Sequence, residues 1–254
     1  MKKLLVLFLA LIMVFSLVAC GDNGDNSATQ APSPSTAPEA TEAPDVKSEG
    51  VLTYAQYADI EVVEGGEQPA VVIEAYVQAK QSWWDNKATV YTQDKEGAYF
   101  LYEMACSEED YERLTVGTKI KVTGYKTVWA GEYEIVDATF EILEGNYVAP
   151  HKDVTALLGT EDLIKSQNQA VAFKGLEVVS IEYKNGAPGD DIYVKVAYKG
   201  TEYSFCVERY LTGPDTAVYS AVGELKAGDI VDIQGFLYWY NGVNTHITAV
   251  SKAA

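Results

Sequence analysis

An eleven-residue pattern occurs twice in this chain. Leu114-Thr115-Val116-Gly117-Thr118-Lys119-Ile120-Lys121-Val122-Thr123-Gly124 returns as Leu225-Lys226-Ala227-Gly228-Asp229-Ile230-Val231-Asp232-Ile233-Gln234-Gly235, 111 positions further on. Both copies obey L-x-x-G-x-x-(I/V)-x-(I/V)-x-G, and at the same offset Gly131 is matched by Gly242. Repetition over so long a period implies two similar domains rather than a solenoid, whose units are about 20–50 residues long. The chain must therefore bury two cores with two copies of one strand order.

Each copy reads as five strands with a helix after the third. In the first, apolar and polar residues alternate over about Ala70 to Lys80, Ala88 to Gln93, Ala98 to Met104, Thr118 to Val128 and Glu132 to Leu143. Such alternation marks strands with one face on a core. Ser107-Glu108-Glu109-Asp110 offers a capping hydroxyl with an acid three residues on, opening a short helix through Leu114. The second copy runs Val171 to Tyr183, Asp191 to Tyr198, Thr201 to Glu208, Asp229 to Tyr240 and Val243 to Val250, with its helix starting near Pro214. A helical segment leads each copy, Leu52 to Ala58 and Glu161 to Gln167, the first opened by Thr53 and Gln56 in capping-box spacing. These segments are expected to close a barrel end.

Five strands with a helix between the third and fourth is the plan of the OB-fold, a partly open Greek-key barrel. The run Gln93-Asp94-Lys95-Glu96-Gly97-Ala98-Tyr99-Phe100-Leu101-Tyr102, followed by Leu114 to Gly124, resembles the extracytoplasmic OB-fold modules of bacterial envelope proteins and secreted nucleases. The family's D-x-x-G turn falls on Asp94 and Gly97, and its Gly-bounded fourth strand on Gly117 and Gly124. The second copy has Lys199-Gly200 in place of that turn, so its membership rests on the internal repeat. The expected fold is all-β with short helices: two tandem five-stranded OB-fold-like barrels, in residues 51–148 and 149–254, after a disordered linker.

The chain opens with Met1-Lys2-Lys3 and an apolar run from Leu4 to Phe15, the charged and apolar regions of a secretory signal. The run is shorter than the roughly 20 residues of a membrane span. It ends in Leu17-Val18-Ala19-Cys20-Gly21, which resembles the lipobox of bacterial lipoproteins. The resemblance implies cleavage of a signal peptide, 1–19, and a diacylglyceryl group on Cys20. It places the mature chain at the extracytoplasmic face of a cell membrane, held there by its acyl chains. Residues 20–50 are rich in Ser, Thr, Ala, Pro and acids and lack large apolar side chains, the composition of a disordered tether.

Loss of the signal leaves 17 basic residues against 37 acidic ones, a net charge near −20. Affinity for nucleic acid comes largely from cations that neutralise phosphates, so no nucleic-acid partner is expected. Cys106 and Cys206 would pair or stay free; a core of this size does not require the bridge.

Catalytic signatures are absent. His151 and His246 sit in no nucleophile or metal pattern, and no G-x-S-x-G, H-E-x-x-H or phosphate-cradling Gly loop occurs. Asp94-x-Glu96-Gly97 and Gly189-Asp190-Asp191 lack the alternating acids of a calcium loop and read as turns. The expectation is a binding protein, not an enzyme, with no cofactor and no metal.

Aromatic residues point to where binding would occur. OB-folds bind on the face of strands two and three, framed by the loops joining strands one to two and four to five. Trp83 and Trp84 fall in the first of these loops and Trp129 in the second, with Tyr133 just beyond it. The second copy brings Tyr183 and the run Tyr238-Trp239-Tyr240 to matching positions. Rings without cations suit sugar faces, which makes an oligosaccharide the expected ligand, with an envelope protein as the alternative partner. The competing reading is that the rings plug the barrels or pack them together.

Overall fold

The computed structural model describes residues 47–253; the signal segment, Cys20 and all but the end of the linker lie outside the described residues. Helix α1 (Tyr54–Ala58) begins at Thr53, whose hydroxyl accepts from the Gln56 N–H while the Gln56 side chain accepts from the Thr53 N–H. The reciprocal pair satisfies two donors that a helix start leaves without intrahelical partners. Strands β1 (Ala70–Lys80), β2 (Lys87–Gln93), β3 (Ala98–Ala105), β4 (Thr118–Trp129) and β5 (Glu132–Asn146) follow, with α2 (Glu108–Arg113) between β3 and β4. They close a barrel in the order β1-β2-β3-β5-β4. Closure comes from antiparallel pairing of β1 with β4 and a short parallel contact of β3 with β5, Phe100 opposite Glu134 and Leu101 opposite Ile135.

The second half repeats the ring. Strands β7 (Ala170–Tyr183), β8 (Ile192–Tyr198), β9 (Thr201–Val207), β10 (Ile230–Phe236) and β11 (His246–Lys252) run β7-β8-β9-β11-β10, and β10 pairs back onto β7. The two-residue strand β6 (Lys152–Asp153) adds to the edge of β7, and α3 (Ala217–Gly223) lies between β9 and β10. Two OB-type barrels in tandem are therefore present, as the repeat requires.

The repeated glycines mark the two places where the backbone leaves ordinary strand geometry. Gly117 and Gly228 open the fourth strands at φ +90° and +88°, a region closed to most side chains. Gly124 and Gly235 sit where that strand shifts register against the fifth. A Cβ on Gly235 would lie 2.2 Å from the His246 carbonyl oxygen, and one on Gly124 would lie 2.9 Å from that of Val136. The bulge lets one strand serve two neighbours around a small ring.

Inward residues fill each ring: Ile73, Val77, Val90, Leu101, Ile120, Val122 and Ile135 in the first, and Phe173, Val194, Phe205, Val231, Ile233 and Ile247 in the second. Burying each contributes about 1.5–3 kcal/mol. Tyr57 of α1 closes one end of the first barrel, its ring edge-on to Tyr99 at 4.9 Å.

Three local expectations change. Residues Glu161–Ser166 form a 3-10 turn, not an α-helix, with no side-chain cap at Thr160. Helix α3 starts later than Pro214, at Ala217, because the Thr216 hydroxyl accepts from the Tyr219 N–H and donates to the Gly213 carbonyl. Strand β10 stops at Phe236 instead of continuing through Tyr240, since Leu237 exchanges hydrogen bonds with the Asn168–Gln169 segment.

Candidate functional site

The middle of strands β2 and β3 of the first barrel, from Ala88 to Thr92 and from Ala98 to Leu101, is buried on both faces. Val90 and Leu101 point into the barrel, while Tyr91 and Phe100 point outward and are also buried, against Phe236 and Tyr238 of the second barrel. The Tyr91 ring stacks on Phe236 at 4.4 Å, and Phe100 meets Tyr238 edge-on at 5.4 Å. His246 stacks on Tyr238 at 4.3 Å, and its Nδ1 is hydrogen-bonded to the Tyr91 hydroxyl. Burial pushes the imidazole down to about 3, so the ring is neutral across the physiological range. The face expected to be the first barrel's binding groove is thus an inter-barrel seam. Alternation along β2 and β3 identified the inward residues, but not that a second barrel would cover the outward ones.

The seam continues to the tips of the fourth-to-fifth strand loops. Trp129 packs on Tyr240 at 5.3 Å, the Asn241 N–H donates to the Ala130 carbonyl, and Gly131 lies against the Trp239 indole. Beneath them the buried Glu132 Oε2 accepts from the Trp239 N–H at 2.7 Å and from Gln167 Nε2 at 3.2 Å. Burial raises its carboxyl well above the usual range, and raises that of Glu134 to about 7. Trp129, Tyr238, Trp239 and Tyr240 therefore serve barrel docking. Tyr183 packs on Tyr219 at the second core, 6.2 Å between ring centres. Tyr133 lies over the Lys126 ammonium at 4.8 Å.

Trp83 and Trp84 fall elsewhere, in a cleft of about 500 Å3 that they line with Gln81, Ser82, Lys87, Thr89, Tyr102, Glu103 and Tyr210. Trp129 does not line it. Asp85 and Asn86 both adopt positive φ, +49° and +57°, between Trp84 and Lys87, whose backbones pair across the turn. This two-residue hairpin matches the right-handed strand twist and holds Trp84 beside Lys87. Trp83 is half-buried, its Nε1 donating to the Cys106 carbonyl at 2.9 Å, whereas Trp84 is 61% exposed. The Ser82 N–H donates to the Tyr210 carbonyl at 2.8 Å, tying this loop to the second barrel. Tyr102 and Tyr210 are also exposed, and Lys87 pairs with Glu103 at 2.6 Å across the floor. Tyr102 was legible as the next outward residue after Phe100 on one strand face. Tyr210 follows β9 and reaches the cleft only through docking.

No protein-family model matches the chain, and no curated protein matches it. Solved structures do. The murine DNA-binding protein bound with double-stranded DNA is 12% identical, covering 72% of this chain and 96% of its own, at a TM-score of 0.36. The Ifi202 HINa domain in complex with 20 bp double-stranded DNA is 10% identical, covering 73% of this chain and all of its own, also at 0.36. A replication protein A heterotrimer bound to single-stranded DNA is 13% identical, covering 74% of this chain and 51% of its own, at 0.29. Chains solved with DNA thus stand among those similar to this one, and the expectation of no nucleic-acid partner does not hold. Net charge is an average over the molecule, whereas a ligand meets local groups, and at the cleft Lys87 and Glu103 balance each other.

Proposed function

We propose that this chain is a lipid-anchored, extracytoplasmic, non-enzymatic binding protein, and that its ligand lays ring faces on Trp84, Tyr102 and Tyr210 in their cleft. The anchor rests on the lipobox residues Leu17 to Gly21. The binding reading rests on one observation: three exposed rings surround a cleft whose other groups are the half-buried Trp83 indole, hydroxyls, an amide and a Lys87–Glu103 ion pair. Sugar rings match that chemistry, with apolar faces for the aromatics and hydroxyls for the polar floor. A second reading has unpaired bases of a single-stranded nucleic acid on the same rings, favoured by the three exposed π-faces at the cleft.

Tryptophan fluorescence of the mature protein titrated with chito-, cello- and manno-oligosaccharides, and separately with oligothymidylate, tests both. Sugar binding leaves affinity insensitive to salt. Nucleic-acid binding weakens with salt at a log–log slope of about −0.7 per phosphate contacted. No response to either probe rejects both readings. The anchor is tested by mass spectrometry: Cys20 should carry a diacylglyceryl group, and Cys20→Ala should leave the membrane fraction.

A further inference from the structure

Past Leu101 and Ile135 the two parallel strands of the first barrel part. Strands β3 and β5 pair only through Phe100 with Glu134 and Leu101 with Ile135, and each then takes a residue of positive φ, Glu103 at +47° and Asp137 at +48°. A groove of about 620 Å3 opens beyond them and shares no lining residue with the aromatic cleft. One wall is the end of β3 with α2, including Ala105, Cys106, Asp110 and Arg113. The other is four consecutive residues of β5: Thr139, Phe140, Glu141 and Ile142.

Consecutive side chains of a strand point to opposite faces of its sheet, so a wall made of four in a row is the strand's edge. On its other edge this stretch pairs with β4, Thr139 opposite Thr123 and Ile142 opposite Ile120. Backbone N–H and C=O groups of such a strand alternate between its two edges. Among the described residues, no backbone group of Thr139–Ile142 bonds any element other than β4. A row of unpaired backbone groups beside an open groove fits one kind of occupant, another extended chain. The four residues offer it about 13 Å of edge.

The two faces of that edge set the occupant's sequence. Phe140 and Ile142 are half-buried against the barrel core, whereas Thr139 and Glu141 are exposed. An added strand lays its own side chains on the same two faces, apolar ones beside the first pair and polar ones beside the second. Acids outnumber bases around it. The lining holds Asp110 and Glu141, α2 adds Glu108, Glu109 and Glu112, and β5 adds Asp137 and Glu144. Most nearby bases are engaged: Arg113 pairs with Asp110 at 2.9 Å, Lys87 with Glu103 at 2.6 Å and Lys119 with Glu74 at 3.0 Å, and Lys80 donates to the Tyr111 carbonyl. Lys121 stands opposite Glu141 and offsets one acid. We infer that the free edge of β5 binds, by strand addition, an extended segment of a partner protein that alternates basic and apolar residues.

Fluorescence polarisation of the mature protein with a labelled hexapeptide alternating lysine and valine, at an ionic strength of about 0.15 M, tests the inference. The peptide should bind saturably, and one alternating glutamate and valine should not. A strand turns alternate backbone N–H groups to one side, so N-methylation of either the lysines or the valines should abolish binding while methylation of the other set spares it. Glu141→Gln, at an exposed position, should weaken binding about fivefold. Ala105→Trp, which fills the groove from an exposed position on the facing wall, should abolish it. Trp84→Ala should leave it unchanged. An unchanged unfolding midpoint verifies that each variant is folded. No saturable binding below about 1 mM, equal binding of the acidic peptide, or equal binding of both N-methylated peptides would each overturn the inference. Loss of binding in Trp84→Ala would place the peptide in the aromatic cleft and also overturn it. So would a parent that dimerises without binding peptide and whose dimer Ala105→Trp breaks, since the edge would then belong to a second copy of this chain.

Discussion

The Tyr91 ring lies face to face with Phe236, 4.4 Å between centres and 16° between planes, joining a strand of one barrel to a strand of the other. Tyr91 is fully buried and also bonds His246, so the barrels share one contact layer of rings. Phe236→Ala should cost about 3–5 kcal/mol, the range for deleting a buried aromatic. Tyr91→Phe keeps the packing but strips His246 Nδ1 of its partner, at about 1–2 kcal/mol. Denaturant unfolding measures both. A change under about 0.5 kcal/mol for Phe236→Ala would mean that the seam does not hold the barrels together.

Stability should fall as pH rises through the weakly acidic range. Burial lifts Glu134 from its ordinary value of 4.5 to about 7, so the folded state favours the protonated acid. Its contribution is fully present below pH 4.5 and is lost as pH rises to about 7. Glu208, also raised to about 7 by burial, adds a loss of the same sign. His246, lowered to about 3, acts in the opposite direction and costs stability as pH falls from 6.5. Glu134→Gln should match the parent at pH 4 and exceed it at pH 8 by on the order of 2 kcal/mol. Equal stability of the two at pH 8 contradicts the burial of a charge at this position.

The two fourth-strand glycines should fail for different reasons and by different amounts. Gly228→Ala forces a side chain into left-handed backbone, at about 1–2 kcal/mol, with open space around the new methyl. Gly235→Ala sets the methyl 2.2 Å from the His246 carbonyl oxygen, so the β10–β11 pairing itself must shift. The second variant should be the less stable in thermal melts; the reverse order rules out the bulge argument.

Both described cysteines are free and buried, and burial pushes the Cys106 thiol up to about 11 and Cys206 higher still. The thiolate is the reactive form. Iodoacetamide at pH 8 should leave both unlabelled in the native protein and label both in denaturant, as read by intact mass.

Trp84 is mostly exposed, and Trp84→Ala should shift stability by less than about 0.5 kcal/mol. Any ligand-dependent fluorescence change lost in this variant can then be assigned to the cleft rather than to unfolding.

Strand positions, inward residues and the capping of α1 and α2 were legible along the chain, because each depends on neighbours a few positions apart: the period-two alternation of Ile120 and Val122, the Thr53–Gln56 pair, the Ser107 hydroxyl three residues before Asp110. The 111-residue repeat likewise fixed that two barrels exist, since glycine is required wherever the backbone takes positive φ or meets a carbonyl at bulge distance. What local pattern cannot carry is which outward face another domain will cover. Trp129, Tyr238 and Tyr240 have the composition of a binding platform, and the docking of two barrels made them a seam. Tyr210 and Trp84 are 126 positions apart, and only that docking made them neighbours in a cleft. Short-range hydrogen bonding and side-chain period act along the chain, whereas apolar burial between domains is non-directional and is decided by the shapes of surfaces already folded.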